Sequence, residues 1–209
     1  MVERGAGLPM ETFRKAPVNN TLIVLNIIVF VLTEITGGSQ DTNNMLSWGA
    51  MYVPFIIEKQ EYYRVLTSIF LHFGMAHLAN NMLVQFVLGD YLERSIGKIK
   101  YLFLYLLGGV GGNLISGYLE LQSGSFAVSV GASGAVFAVM GGLISVVLIN
   151  RGHLEDLTTK KLLVMAGFSL YFGFTSTGVD NAAHIGGLLC GFVFALLFYR
   201  RKKHSCLEL

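Results

Sequence analysis

The chain has 209 residues, of which 53% are hydrophobic and only 13% charged, with a net charge of +2. Soluble domains carry roughly 25% charged residues, so this composition, with a mean hydropathy of +0.59, excludes an ordinary soluble domain and indicates a membrane protein. The length allows one domain. Of the two cysteines, Cys190 lies in an apolar stretch and Cys206 in a basic tail, so no disulfide framework is indicated.

Apolar segments divide the chain into a membrane domain and two short ends. A helix needs roughly 20 apolar residues to cross about 30 Å of hydrocarbon. We predict six membrane-spanning helices, at 20–36, 69–92, 99–120, 131–150, 161–178 and 182–199. Residues 1–19 are predicted to be a cytoplasmic N-terminal segment, 20–199 the membrane domain and 200–209 a basic cytoplasmic tail. The first segment lacks a small-residue cleavage site, which favours a retained anchor.

The loop after the first segment is aromatic and half apolar. Amphipathic rings settle at the membrane–water interface, so we predict that this loop lies there. The residues concerned are Trp48, Met51, Tyr52, Phe55, Ile56, Ile57, Tyr62 and Tyr63. The predicted fold class is therefore an all-α membrane protein, a compact bundle of six transmembrane helices with an interfacial first loop.

Basic residues predict the orientation of this bundle. Of the fifteen lysines and arginines, only Lys59 and Arg64 fall on the side opposite the termini. The others are Arg4, Arg14, Lys15, Arg94, Lys98, Lys100, Arg151, Lys160, Lys161, Arg200, Arg201, Lys202 and Lys203. Because cytoplasmic loops carry the excess of positive charge, we expect an integral protein of the plasma membrane with both termini in the cytoplasm.

Four polar residues fall within the predicted helices at similar depth. With the orientation above, His77 and Asn81 lie early in the second helix, Ser133 opens the fourth and His184 lies early in the sixth. All four are thus expected in the outer half of the bilayer. Polar and ionisable groups inside a membrane are expensive, so they are candidates for function.

These residue types suit acyl transfer. A serine is a poor nucleophile until a base such as neutral histidine takes its proton, and Ser133 and His184 supply that pair. His77 and Asn81 are four residues apart, on one helix face, and the N–H groups at the start of a helix add further donors for an oxyanion. The helices can approach closely through small residues, namely Gly134, Ala138, Gly141, Gly142, Gly187 and Gly191.

A serine–histidine dyad is simpler than a triad here. Asp180 precedes His184 by four positions but is expected in the preceding loop. A metal site is disfavoured because a helix would put His72 and His77 well apart round its axis, and no His-Glu-x-x-His pair occurs. His153 and His204 lie on the cytoplasmic side.

Structural alternatives stay open for each element. Glycine-flanked serines often serve helix packing, a buried histidine often serves structure or a proton relay, and His77 with Asn81 can tie helices together. A small transporter with a histidine relay is a further alternative, although such proteins usually show more intramembrane carboxylates or inverted repeats.

The ordered set of motifs resembles the rhomboid intramembrane serine proteases. The motifs are Trp48-Gly49-Ala50, Tyr63-Arg64, His72-x-x-x-x-His77-x-x-x-Asn81, Gly89-x-x-x-Glu93-Arg94, Gly131-Ala132-Ser133-Gly134 and Ala183-His184-x-x-Gly187-x-x-x-Gly191. They cover most of the chain after Trp48. The chain looks like a minimal six-helix member.

The resemblance implies roles for individual residues. Ser133 would be the nucleophile and His184 the general base, with His77, Asn81 and the Ser133 amide stabilising the oxyanion. Gly131, Gly134, Gly187 and Gly191 would support the site. Arg64 and Glu93 would be structural, holding the first loop and the region between the second and third helices. Phe137 replaces a tyrosine that often packs on the histidine, so a stacked ring is expected without its hydroxyl.

The expected function is an intramembrane serine endopeptidase that cleaves transmembrane segments near the outer face. Water would reach Ser133 through a cavity lined by His72, His77, Asn81 and Asn181. Substrates would unwind locally, since a helical peptide bond is shielded by its own side chains. The resemblance further implies small residues next to the scissile bond and helix-breaking residues nearby. We expect transmembrane protein substrates and the lipid bilayer as partners, with no cofactor, metal or nucleic acid. The alternative is a non-catalytic rhomboid-like protein that binds or chaperones membrane helices.

Overall fold

The computed structural model describes residues 16–201, which form nine helices and one small hairpin. In chain order the helices are α1 (Pro17–Thr36), α2 (Thr42–Ser47), α3 (Val53–Glu58), α4 (Arg64–Thr67), α5 (Met75–Ile96), α6 (Lys98–Ser123), α7 (Ser133–Ile149), α8 (Thr159–Thr175) and α9 (Asn181–Phe198). A 3₁₀ turn, Ser68–Phe70, follows α4, and the antiparallel strands β1 (His153–Leu154) and β2 (Leu157–Thr158) join α7 to α8.

The ends of the chain carry several of the residues used to predict orientation. These are Arg4, Arg14, Lys15, Lys202 and Lys203, and all of them lie outside the described residues, as do His204 and Cys206. The predictions for most of residues 1–19 and of the tail 200–209 therefore stay predictions.

In the described part of the chain, three helices are long and apolar enough to cross a membrane: α1, α6 and α9. Helix α7 is apolar but shorter. A helix overlaps each of the six predicted segments, and for five of them the ends differ by at most three residues. Six long helices are thus present among residues 16–201, and six crossings of the membrane stay a prediction.

The predicted start of the second segment, at residue 69, is wrong. Residues Ser68–Phe70 form the 3₁₀ turn, Leu71 is extended, and Gly74 adopts φ +81° before α5 begins at Met75. A residue in that left-handed region cannot continue a right-handed helix, and glycine adopts it without steric cost. The apolar run at 69–74 therefore belongs to the segment that connects the 3₁₀ turn to α5, and His72 is not on the same helix as His77. Helix α5 itself extends to Ile96, four residues beyond the predicted end.

Helix α7 occupies the centre of the bundle. Its sequence is apolar or small all round, the pattern of a helix buried on every side, and nearly all of its residues from Gly134 to Val147 are buried. It packs most extensively against α9, and also against α6, α5 and α8. The residue that opens α7, Ser133, is therefore carried by the most enclosed element of the fold.

Glycines let α7 and α9 touch through their main chains. A Cβ added at Gly187 would overlap the carbonyl oxygen of Gly134, and one at Gly191 would lie 2.6 Å from Cα of Ala138. On α7, a Cβ at Gly141 would overlap the carbonyl of Leu188. Because small residues permit such close approach, this glycine face fixes the position of α9 against α7.

Two buried charges hold the outer elements, as the resemblance implies. Arg64 donates to the carbonyls of Leu46 (2.7 Å) and Ala50 (3.0 Å) and pairs with Glu61, which fixes the loop between α1 and α5. Glu93 accepts hydrogen bonds from the main-chain N–H groups of residues 18 and 19 (3.1 and 2.7 Å), at the first turn of α1. Glu93 thus ties α5 to the start of α1.

The hairpin joins α8 to α5 at the end of the bundle where α5 stops. Arg94 pairs with Glu155 (2.6 Å), and the Tyr91 hydroxyl donates to Asp156 (2.5 Å). That hydrogen bond lowers the pKa of the exposed Asp156 carboxyl below its ordinary value. Elsewhere α5 and α8 share no extensive interface, which leaves room between them for the cavity described below.

Candidate active site

Ser133 is the first residue of α7 and follows a glycine with an unusual backbone. Gly131 adopts φ +142° and donates its N–H to the Ser68 carbonyl (3.0 Å), which sets the direction in which α7 starts. The N–H groups in the first turn of a helix have no carbonyl partner within that helix. The Ser133 hydroxyl and its own N–H therefore meet at a helix N-terminus, where developing negative charge is stabilised.

His184 lies in the first turns of α9 and is buried, with 8% of its surface exposed. Its ring stacks on Phe137 of α7, with centroids 4.4 Å apart and planes inclined by 14°. The stacking is the one expected for the phenylalanine at this position. It holds the imidazole against α7, on the helix that begins with Ser133.

No carboxylate orients His184 among residues 16–201. Its Nδ1 atom has no hydrogen-bond partner there. The Asp180 carboxylate caps α9 by accepting from the Ala183 N–H (2.9 Å), and it also accepts from the hydroxyls of Ser116 and Ser129. Asp180 therefore acts in folding the start of α9, which favours a dyad over a triad.

The backbones around Ser133 and His184 are in direct contact. A Cβ placed on Gly134, the residue after Ser133, would lie 3.5 Å from the carbonyl oxygen of Ala183, the residue before His184. One turn further on, Gly187 meets the same Gly134. The glycine face thus brings together the two helices that carry the candidate nucleophile and base.

His77 and Asn81 on α5 face the same region. A Cβ added at Gly131 would lie 2.9 Å from His77 Nε2 and 3.4 Å from Ser133 Oγ. The imidazole and the serine hydroxyl therefore flank a space that only glycine at 131 leaves open. Asn81 is buried, and its Nδ2 donor has no partner within the described chain. A buried donor without a partner is costly, unless a bound group or water accepts from it.

His72 takes a different place from the one predicted. It does not line the cavity beside Ser133 but is fully buried, and its ring contacts that of His77 edge to face, with centroids 5.2 Å apart. Its Nε2 atom accepts from the Ala132 N–H at 3.5 Å. The prediction of well-separated histidines was wrong because it assumed one continuous helix across Gly74.

One cavity of about 1,410 Å³ connects all four candidate residues. His77, Asn81, Ser133 and His184 line it, together with residues of α6, α8 and the loops before α7 and α9. Asn181, also predicted to lie beside Ser133, is among the residues that line this cavity. The volume exceeds the roughly 300–1,000 Å³ of typical small-molecule pockets, so the cavity has room for an extended peptide segment beside Ser133.

Polar residues of α6 were passed over in the sequence. Asn113 donates to the Val65 carbonyl and to Ser68 (both 2.9 Å), and Ser116 donates to Asp180. They join α6 to the 3₁₀ turn before α5 and to the start of α9. The sequence signal for them is an amide and a hydroxyl one turn apart in a glycine-rich apolar run. Because polar side chains are costly inside a membrane, such a pair indicates a structural or functional role.

The chain is similar to a known family of membrane proteins. Residues 59–201 match the family described as the Rhomboid domain. The chain is 39% identical over 173 residues to the rhomboid protease GluP of Bacillus subtilis, covering 83% of this chain and 33% of that protein. It is 31% identical over 202 residues to the rhomboid protease AarA of Providencia stuartii, covering 85% and 71% of the two chains.

Relatives without "protease" in their names also match. RHOMBOID-like protein 4 of Arabidopsis thaliana is 37% identical over 159 residues, covering 75% of this chain and 39% of that protein. The chain therefore spans well under half the length of GluP and of RHOMBOID-like protein 4. With its long apolar helices and its match to the Rhomboid domain, the chain is an integral membrane protein that belongs to the rhomboid family.

Proposed function

We propose that the chain is an intramembrane serine endopeptidase that hydrolyses peptide bonds in transmembrane segments through Ser133 and His184. The observation that carries the proposal is the shared cavity, which Ser133 and His184 line together with His77 and Asn81. The names of GluP and AarA support protease chemistry.

The proposed chemistry proceeds in two halves. His184 accepts the Ser133 hydroxyl proton while Oγ attacks the scissile carbonyl, and the resulting oxyanion receives hydrogen bonds from the Ser133 N–H, Asn81 and His77. His184 then gives its proton to the leaving amine, which departs with the C-terminal part of the substrate. Water repeats the sequence on the acyl-enzyme and releases the N-terminal part with a free carboxylate.

The proposed substrate is a membrane helix that unwinds near the outer face. A helical peptide bond is shielded by its own turns, so an extended segment must enter the cavity. Ser125 and Ser129 give the cavity wall polar groups, which would satisfy the backbone of a peptide that has lost its helical hydrogen bonds. Small residues at the scissile bond would fit between α5 and α7.

The test is cleavage of a helical membrane substrate by the purified full chain and by Ser133→Ala. We expect the parent to produce two fragments and Ser133→Ala to produce none. Equal cleavage by both proteins would remove the serine mechanism. A parent that binds the substrate without cleaving it would instead support the alternative, a rhomboid-like protein that binds or chaperones membrane helices.

The proposed oxyanion hole gives a graded prediction. Removing one donor from such a site typically lowers turnover by 10²–10³, roughly 2.7–4 kcal/mol, and we expect this for Asn81→Ala and His77→Ala. Rates of substrate cleavage are the measurement, with Asn80→Ala as the matched control. Asn80 is the adjacent amide, is exposed and lines the same cavity, so its removal should change the rate little.

Packing alone predicts another outcome for these variants. If Asn81 and His77 only tie helices together, each substitution should lower stability by about 0.6 kcal/mol, the mean for interhelical hydrogen bonds, and leave the activity of the folded fraction intact. Full activity in both variants would contradict the proposed oxyanion role. Because the Asn81 Nδ2 atom has no partner in the described residues, its loss should affect stability least.

The proposed orientation is tested by cysteine labelling. In a chain with Cys190→Ala and Cys206→Ser, Ser125→Cys should react with an impermeant maleimide from outside the cell, and Lys160→Cys only after permeabilisation. Both positions are exposed, in the loop before α7 and at the start of α8. A reporter fused after Glu208 should be active in the cytoplasm. The reverse pattern would contradict termini in the cytoplasm and place Ser133 in the other leaflet.

A further inference from the structure

An apolar groove runs between α6 and α9 on the surface of the bundle. It measures about 400 Å³, and its walls come from Leu107 and Gly108 of α6 and from a row of α9 side chains between Leu189 and Phe198. Several of these, including Val193 (50%) and Leu197 (60%), are strongly exposed. The groove is separate from the cavity at Ser133, with which it shares no lining residue.

Two contacts mark the ends of the groove. At one end Cys190 fills the space beside Gly111, where a Cβ would lie 2.6 Å from its Sγ. At the other end the Lys100 ammonium donates to the Phe198 carbonyl (2.8 Å). At 1.5 Å per residue, Cys190–Phe198 spans about 12 Å, close to half of the roughly 30 Å hydrocarbon thickness.

The lining and the length of the groove suit an acyl chain. Every residue of its walls is apolar or small, so an occupant must itself be apolar. A fatty acyl chain that enters from one face of the membrane and reaches its middle matches this lining and this length.

The end of the groove at Phe198 carries positive charge. Lys100 lies there, and since an ammonium has three donors, two remain after its bond to Phe198. The chain continues from α9 directly into Arg200 and Arg201, which are exposed and form no ion pair within residues 16–201. These three cations could bind the phosphate of a phospholipid headgroup. An acyl chain of the same lipid would then enter the groove.

We propose that this groove binds one anionic phospholipid, with an acyl chain along α6 and α9 and its phosphate at Lys100, Arg200 and Arg201. The site serves to hold α9, the helix that carries His184, against α6 from its lipid-facing side. It does not depend on the chemistry of Ser133, so lipid binding and proteolysis can fail separately.

The experiment is titration of the detergent-solubilised full chain with phosphatidylglycerol and with phosphatidylcholine, followed by native mass spectrometry. We expect one phosphatidylglycerol to bind at least ten-fold tighter than phosphatidylcholine. Each cation near a membrane surface contributes about a five-fold change in affinity for anionic lipid. Arg200→Gln with Arg201→Gln should therefore remove most of that preference.

Two matched controls separate this site from general effects. Lys160→Gln with Lys161→Gln removes the same charge at the start of α8, away from the groove, and should keep the preference. Val193→Trp should fill the groove and weaken both lipids, whereas Leu163→Trp, on an α8 position of similar exposure (54%), should not. Each variant is checked for a parent-like melting temperature.

Three results would overturn the proposal. An equal loss of preference in the Lys160/Lys161 variant would show that the preference comes from surface charge in general and not from this site. Unchanged binding in Val193→Trp would show that the lipid headgroup binds without an acyl chain in the groove. A dimer without bound lipid that Val193→Trp dissociates would assign the groove to a second copy of the chain.

Discussion

Replacing His184 with alanine is expected to abolish cleavage as completely as Ser133→Ala, while the protein stays folded. Under the proposed mechanism the serine cannot lose its proton without the imidazole. In serine proteases the loss of either partner lowers turnover by about 10⁶. We therefore expect a loss of more than about 10⁴ for His184→Ala, measured as fragment release from a helical substrate.

The double variant distinguishes a catalytic pair from two separate contributions. Groups that act as one unit are strongly non-additive, so Ser133→Ala with His184→Ala should be scarcely slower than either alone. Two independent residues would instead give the product of their effects. Near-parent activity in His184→Ala would contradict the proposed base and move attention to His77, the other histidine that lines the cavity.

Asp180→Asn is the matched control for the dyad. An asparagine can still cap α9 and accept from Ser116, so the fold around His184 should persist. If Asp180 oriented the histidine as the third member of a triad, its replacement by asparagine would lower turnover about 10⁴-fold. We expect the variant to retain most of its activity, because the carboxylate is engaged by Ala183, Ser116 and Ser129.

The second large effect is expected at Gly191, where no side chain fits. A Cβ there would lie 2.5 Å from the carbonyl carbon of Ala138 and 2.6 Å from its Cα. Since overpacking typically costs about 1–3 kcal/mol and main-chain atoms cannot rotate away, Gly191→Ala should lower the free energy of unfolding by about 2 kcal/mol. The measurement is denaturation of the full chain in detergent.

Gly167→Ala supplies the comparison on another apolar helix. Gly167 lies in α8 and has open space where a Cβ would be, so only helix propensity changes and stability should rise by up to about 1 kcal/mol. Gly191→Ala should also slow cleavage about 10²-fold, because a shift of α9 by about 1 Å misplaces His184 against Ser133. Equal stability and equal cleavage rates in Gly191→Ala and Gly167→Ala would contradict the requirement that α9 approach α7 closely.

Much of this fold was readable from the sequence because long apolar runs determine where helices lie. The predicted segment at 182–199 corresponds to α9, and that at 99–120 to α6. The start of α5 was missed because Leu71, His72 and Phe73 continue the apolar pattern, whereas the break is made by the backbone at Gly74. Hydropathy averaged over a segment of helix length hardly changes at a single glycine, so it does not reveal such a break.

The residues of the candidate site were named from the sequence, but most of the contacts between them were not. Sequence spacing put His77 and Asn81 on one face, which holds for residues of one helix. The stacking of Phe137 on His184 was expected from the family resemblance and not from spacing, and the contact of His72 with His77 was missed because a break in the helix separates the two residues. Nor did it show that Asp180 is engaged by Ser116 and Ser129.

The main-chain contacts of Gly187 and Gly191 separate the evidence for architecture from the evidence for activity. A clash with a neighbour's side chain, such as that of Gly108 with Ala138, can be relieved by a smaller neighbour, but a clash with a carbonyl has no such remedy. These two glycines are therefore required by this arrangement of α7 and α9, whether or not Ser133 is present. Their presence bears on the packing of the two helices, and only the Ser133 hydroxyl and the His184 imidazole bear on enzyme activity.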